Sequence, residues 1–121
     1  MVVAVVGASN DRRKFGNKAV RAYVGRGFDV YPVNNHEDFI EGLKAYRSVL
    51  DIPVGVDRVS LYLPPASALD VMDDIFRKGT SELFLNPGSE SKRVIEKAEA
   101  LGLNPILACS VIDIGESPGQ Y

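Results

Sequence analysis

The sequence predicts an α/β fold: a Rossmann-like three-layer sandwich with a mainly parallel sheet of about five strands. Three observations carry that expectation. Apolar runs of strand character alternate with stretches of helical period. Gly or Pro stands at most of the changes of period. A loop holding glycine and three adjacent cations joins the first strand to the first helix, where this architecture places ligands.

Residues 2–6 are continuous small and β-branched apolar residues, as in a strand covered on both faces. Residues 17–25 place Ala19, Val20, Tyr23 and Val24 on one helical stripe, with Lys18 and Arg21 outside it. Gly25 and Gly27 end that helix. Residues 28–33 read as a second strand. Asp38 to Tyr46 fits a short helix or an extended excursion, and residues 48–53 form one capped helical turn. Val56 to Leu63 is the third strand, stopped by Pro64 and Pro65. Ala68, Leu69, Met72, Ile75 and Phe76 then mark a helix face, with Asp70, Asp73, Asp74, Arg77 and Lys78 in water. Residues 82–85 make a short strand. Val94, Ile95, Ala98 and Leu101 mark a helix capped by Ser89 or Ser91, and residues 105–107 the last strand. Parallel strands in this succession need right-handed crossovers, which put helices on both faces.

The chain has 121 residues, enough for one domain, 1–121, with no linker dividing it. No apolar run has the length of a membrane span, and the apolar start reads as a strand, not a signal peptide. A net charge of −2 argues against non-specific nucleic-acid binding. Cys109 is the only cysteine, which excludes an internal disulfide and a cysteine zinc site. It fits a reducing compartment, so a cytoplasmic location is expected. His36 is the only histidine, so a metal would need oxygen ligands almost throughout.

Ligands of open α/β sheets bind at the carboxyl ends of strands. That rule selects Gly7 to Gly16, Asn34 to Glu37, Pro64-Pro65, and Asn86-Pro87-Gly88. In the first loop Gly7 permits a sharp turn, Ser9 offers a hydroxyl, and Arg12, Arg13 and Lys14 supply cations. The helix start that follows offers N–H groups to a phosphate. The loop is not the dinucleotide fingerprint, since Ser9 and Arg12 stand at its second and third glycine positions. Asn34 and Asn35 replace the acid that would hold an NAD ribose, and no P-loop exists. Pro64 and Pro65 form a flat apolar rim suited to an adenine, or a plain helix start. Cys109 reads as a small buried residue, His36 as a loop histidine within possible reach of a phosphate, and Tyr31, Tyr46 and Tyr62 as core aromatics. No nucleophile–base pair or metal cluster emerges from the pattern.

Residues 3–9, Asp11-Arg12, Phe15-Gly16-Asn17, residues 30–34, residues 46–53, Leu63-Pro64-Pro65 and Asn86-Pro87-Gly88 together resemble the small stand-alone CoA-binding domain proteins. Their order and spacing carry the likeness, which covers nearly the whole chain. The fold is similar to the CoA-binding domain of the succinyl-CoA synthetase alpha subunit, whose loop after the first strand and residues ending the third hold CoA. By position these match residues 9–15 and 63–65. The synthetase's lysine after the second strand has no counterpart in Asn34-Asn35-His36-Glu37, and its phosphorylated histidine belongs to a later domain.

The resemblance implies coenzyme A as cofactor, bound as CoA or acyl-CoA through strand-end loops without catalysis by this chain. The expected binding residues are Gly7, Ala8, Ser9, Arg12, Arg13, Lys14, Phe15, Gly16, Asn34, Leu63, Pro64, Pro65 and Asn86. Among the cations, Arg12 and Lys14 are expected to matter more than Arg13. The partner is a small molecule, neither nucleic acid nor membrane, with a homo-oligomer or protein partner left open. The competing reading is an NAD(P)-dependent oxidoreductase or other nucleotide-binding enzyme.

Overall fold

The computed structural model describes residues 1–121. Its main sheet contains β1 (Val2–Val6), β2 (Asp29–Val33), β5 (Arg58–Leu61), β6 (Glu82–Leu85) and β7 (Pro105–Leu107). Their order is β2-β1-β5-β6-β7, and every pairing is parallel. A single parallel bridge, Val33 to Tyr46, stands beyond β2. It is the remnant of a third Rossmann strand, so the full order reads 3-2-1-4-5-6 with one strand reduced to a residue.

Helix α1 (Phe15–Gly25) crosses one face, and α2 (Pro65–Lys78) and α3 (Lys92–Ala100) cross the other. Two apolar layers result. Ala4, Val6, Val59, Leu61, Leu83 and Leu85 pack with Ala68, Met72, Ile75, Val94 and Ala98. Val3 and Val5 pack with Ala19, Val20, Ala22 and Tyr23. The alternation along β1 explains its unbroken apolar sequence, because both faces are covered. Burial on α1 includes Ala22, while Val24 is half exposed at the stripe's margin. Phe76 is likewise half exposed beside the stripe formed by Ala68, Met72 and Ile75.

The segment left open in the sequence is a β-hairpin, β3 (Phe39–Ile40) and β4 (Leu43–Lys44). Its two-residue turn, Glu41-Gly42, has positive φ at both positions, 50° and 78°. That is the backbone of the hairpin turns that favour Asn-Gly, and an L-residue there costs about 1–2 kcal/mol. Glu41 is the one non-glycine residue with positive φ. Ser48 caps the 3₁₀ turn Val49–Asp51 through the Leu50 N–H, as expected. The third main strand is shorter than its apolar run, and Ser91, not Ser89, caps α3.

Beyond β7, α4 (Ser110–Asp113) and a 3₁₀ turn (Pro118–Gln120) fold back toward α1. Two polar clusters fasten this segment. Ser110 joins Ser60 (2.6 Å) and Tyr62 (3.3 Å), and its N–H donates to Asn86 Oδ1. At the amino ends of the strands, buried Arg58 reaches Glu82, Asp113 and the Tyr23 hydroxyl, with its guanidinium 4.5 Å from the Phe84 ring centroid. Burial works against that charge, but the bonds to Tyr23 and Glu82 outweigh it and hold the pKa above the ordinary range.

Candidate functional site

The topology turns back between β1 and β5, and a cleft opens at the carboxyl ends of those strands. Gly7 leaves β1 at φ 90°, and its N–H and that of Ala8 both donate to Val33 O. A Cβ at Gly7 would meet the Tyr62 carbonyl group at 2.9–3.0 Å. At Gly16 a Cβ would run into the Gly7 carbonyl oxygen. Both glycines therefore let backbone approach backbone, and Gly16 brings the start of α1 down onto the end of β1.

Between them the loop is held by its own side chains. Ser9 Oγ accepts from Asp11 N–H, and Asp11 accepts from the Arg13 N–H and guanidinium. The Arg13 bonds lower the Asp11 pKa to about 2. Asn17 and Lys18 N–H groups turn back to Lys14 O, so those of Phe15 and Gly16 have no partner in the chain. Lys14 forms no ion pair, whereas Arg12 pairs with Glu41 and Arg13 with Asp11.

The second wall is the end of β2. Asn34 Nδ2 donates to Ala8 O, while its Oδ1 accepts from His36 and Glu37 N–H. Arg47 follows the remnant strand, with its fork fixed by Glu37 O (2.7 Å) and Asp38 (2.8 Å). The third wall is Tyr62, Leu63 and Pro64, continued by Ser67 and Val71 one helical turn apart on α2. Tyr62 is partly buried, and the loss of water around its hydroxyl raises its pKa to about 12 against the opposing bonds to Ser110 and Ser60. The loop after β6 closes the cleft with Pro87, Gly88 and Ser89. The enclosed volume is about 830 Å³, within the range of small-molecule sites.

Of the residues expected from sequence, Gly7, Ala8, Ser9, Arg13, Lys14, Phe15, Gly16, Asn34, Leu63 and Pro64 line this cleft. Three do not. Arg12 turns away to Glu41 and lies outside the lining, while Arg13 lies within it but is paired with Asp11, so the geometry gives Arg12 no advantage over Arg13. Pro65 is the first residue of α2, where its missing N–H costs no helical bond. Asn86 is buried, and its amide is consumed by Ser60, Leu61 O and Ser110 N–H, so it is a structural tie.

Cys109 is only half buried and precedes α4, and His36 is exposed outside the cleft lining. Sequence reasoning missed Arg47, Tyr62, Ser67, Val71 and Ser89, and also Asp70, which it assigned only to the solvated face of α2. Ser67 and Val71 carried a signal, since they share a helix face directly after the Pro64-Pro65 rim. No helix is long and apolar enough to cross a membrane.

Fold and cleft together define a Rossmann-like domain with an open cleft at its strand ends, cationic on one wall and apolar on another. The chain belongs to the CoA binding domain family, whose profile matches residues 1–114. It is similar to the alpha subunit of ADP-forming acetate–CoA ligase II of Pyrococcus furiosus, 34% identical over 86% of this chain and 25% of that one. The corresponding ligase II of Archaeoglobus fulgidus is 35% identical over 84% of this chain and 17% of its own length. The chain thus spans a quarter or less of these two curated relatives. Among solved structures, a conserved hypothetical protein from Pyrococcus furiosus superposes with a TM-score of 0.83 at 34% identity, covering 93% of this chain and 97% of that one. The dinucleotide-forming acetyl-coenzyme A synthetase 1 of Candidatus Korarchaeum cryptofilum, in complex with phosphate and ADP, matches with a TM-score of 0.77 at 31% identity over 88% of this chain and 25% of its own.

Proposed function

We propose that this chain binds CoA or an acyl-CoA in the strand-end cleft and performs no chemistry of its own. One observation carries the reading: the unpaired Lys14 stands beside the free N–H groups of Phe15 and Gly16, inside a cleft with an apolar opposite wall. Free amides at a helix start and an adjacent ammonium suit a pyrophosphate. Arg47, on the wall formed by the end of β2, is already paired with Asp38 and the Glu37 carbonyl, so it would meet a ribose 3′-phosphate only by exchanging those partners. Tyr62, Leu63, Pro64 and Val71 suit the less polar pantetheine arm.

NAD fits less well. No acid ends β2, and both amide atoms of Asn34 are already used, so a free ribose diol finds no acceptor there. The absence of chemistry rests on the hydroxyls of the cleft. Ser9 accepts from Asp11 N–H, Ser89 donates to Leu61 O, Tyr62 meets Ser110, and neither these hydroxyls nor that of Ser67 is hydrogen-bonded to an imidazole or carboxylate that could activate it. The relatives that are ligases are far longer than this domain, so any reaction would need parts that these residues do not supply. A reducing cytoplasm suits the unpaired Cys109.

Calorimetric titration with CoA, dephospho-CoA and NAD tests the reading. CoA is expected to bind at least about tenfold more tightly than NAD, one charge-assisted contact being worth that much. Equal binding of NAD would favour the dinucleotide alternative. A turnover of acyl-CoA that survives repurification and vanishes in Lys14→Ala would overturn the non-catalytic assignment.

A further inference from the structure

The hairpin β3–β4 contributes no residue to the cleft, yet it is bonded to the loop before α1 at three points and to Asn17 in the first turn of α1 at a fourth. Asn10 Nδ2 donates to Phe39 O at 2.8 Å, and Glu41 N–H returns to Asn10 Oδ1 at 3.4 Å. The Glu41 carboxylate accepts from Asn17 Nδ2 at 3.0 Å and from Arg12 at 3.3 Å. Asn17 is fully buried, and its amide also donates to Ser9 O. Its Oδ1 accepts from Arg21, which in turn donates to Arg12 O. Backbone atoms at both Ser9 and Arg12 are therefore fixed by a network whose far anchor is Glu41. Ile40, fully buried next to Glu41, pins the hairpin to the core.

Glu41 holds that place in a backbone conformation that L-residues avoid, at a turn position suited to Asn. A glutamate kept in an unfavourable turn, with its carboxylate on the loop that enters the cleft, is the arrangement expected when local strain serves a site. We infer that Glu41 is a positioning residue: the hairpin is a clip, and the Glu41 carboxylate holds the Ser9–Lys14 loop in its ligand-ready shape before the ligand arrives. The inference rests on the CoA reading for its affinity readout only. Its mechanism is reduced loop ordering on binding, which improves affinity without a contact to the ligand.

Glu41→Asn gives the turn its favoured residue and withdraws the carboxylate from Asn17 and Arg12. Relief of the backbone is expected to offset the lost bonds, leaving the melting temperature within about 2 °C of the parent. CoA affinity, measured by calorimetry, is expected to fall about fivefold to tenfold as the loop loses its hold. Amide hydrogen exchange in residues 9–14 of the ligand-free protein is expected to accelerate. Glu41→Gln, which keeps an acceptor for Asn17, is expected to recover most of the affinity. A fall in affinity matched by a fall in melting temperature would reduce Glu41 to a structural contact. Tighter CoA binding by Glu41→Gln would mean that Glu41 withholds Arg12 from the ligand, and would overturn the positioning role. If the parent fails to bind CoA, the functional reading falls while the exchange measurement still decides the clip. Unchanged exchange in Glu41→Asn would end it.

Discussion

Two cations at opposite ends of the same sheet are used in opposite ways. At the amino ends of the strands Arg58 is 6% exposed, with Glu82, Asp113 and Tyr23 around its fork and Phe84 beneath it. At the carboxyl ends Lys14 is exposed and has no ion-pair partner. A buried charge must be matched inside the chain or the fold suffers. An exposed charge can remain unmatched at little cost, because water screens it until an anion arrives. The degree of internal pairing therefore separates the cation that secures the fold from the one available to a ligand.

The largest expected effect belongs to Arg58. Arg58→Met leaves two acids without their cation, and urea unfolding should show a loss of about 3 kcal/mol, tempered by the exposure of both acids. CoA affinity of the remaining folded protein should match the parent, and a parallel loss of affinity would break the division. Asn86→Ala should cost about 2–3 kcal/mol by orphaning the buried Ser110 N–H, again with affinity retained. That outcome would also separate Asn86 from the ligand residues among which the sequence placed it.

Tyr62 serves both fold and cleft, lining the cleft while its hydroxyl meets buried Ser110. Its folded pKa of about 12 lies above the ordinary 10, so the folded state keeps a proton that the unfolded state releases. Stability from this group is complete below about pH 10 and falls as pH rises toward 12. Melting curves of Tyr62→Phe should therefore decline less steeply than the parent's across that window. An identical decline would place the alkaline sensitivity elsewhere.

The smaller effects sharpen the comparison at the ligand end. Lys14→Ala should weaken CoA about tenfold with stability unchanged to within about 0.5 kcal/mol. Arg12→Ala should change CoA affinity by less than about twofold, because its charge is spent on Glu41 rather than in the cleft. Titration of both variants side by side ranks them, and a larger loss for Arg12 would restore the order suggested by sequence.

Most of the sheet was readable because β1 and its partners are apolar on both faces and end at Gly or Pro. The hairpin was not, since its turn carries Glu41-Gly42 where Asn-Gly would have announced it. The first loop was legible as a wall of the strand-end cleft from its place after β1. The distribution of its charges was not, because Arg12 is claimed by Glu41, 29 residues away. Asn86 misled for a related reason: it ends a strand at the ligand side, but its partners Ser60 and Ser110 lie 26 and 24 residues distant. Arg47 gave no local sign of its position, which depends on a single bridge between Val33 and Tyr46.

The Ser110 junction also bears on how the molecule comes together in time. It joins residue 110 to residue 60 directly and to residue 23 through the Tyr23 hydroxyl, across separations of 50 and 87 residues. Such closures confine long stretches of chain before their contacts form, and topologies built on them fold slowly for their size. During synthesis α1 emerges well before Val111, which packs into its apolar layer. Until then Tyr23 and its neighbours stand uncovered on that face. An incomplete chain of this domain is therefore a sticky one, and the last helix to be made is the one that seals it.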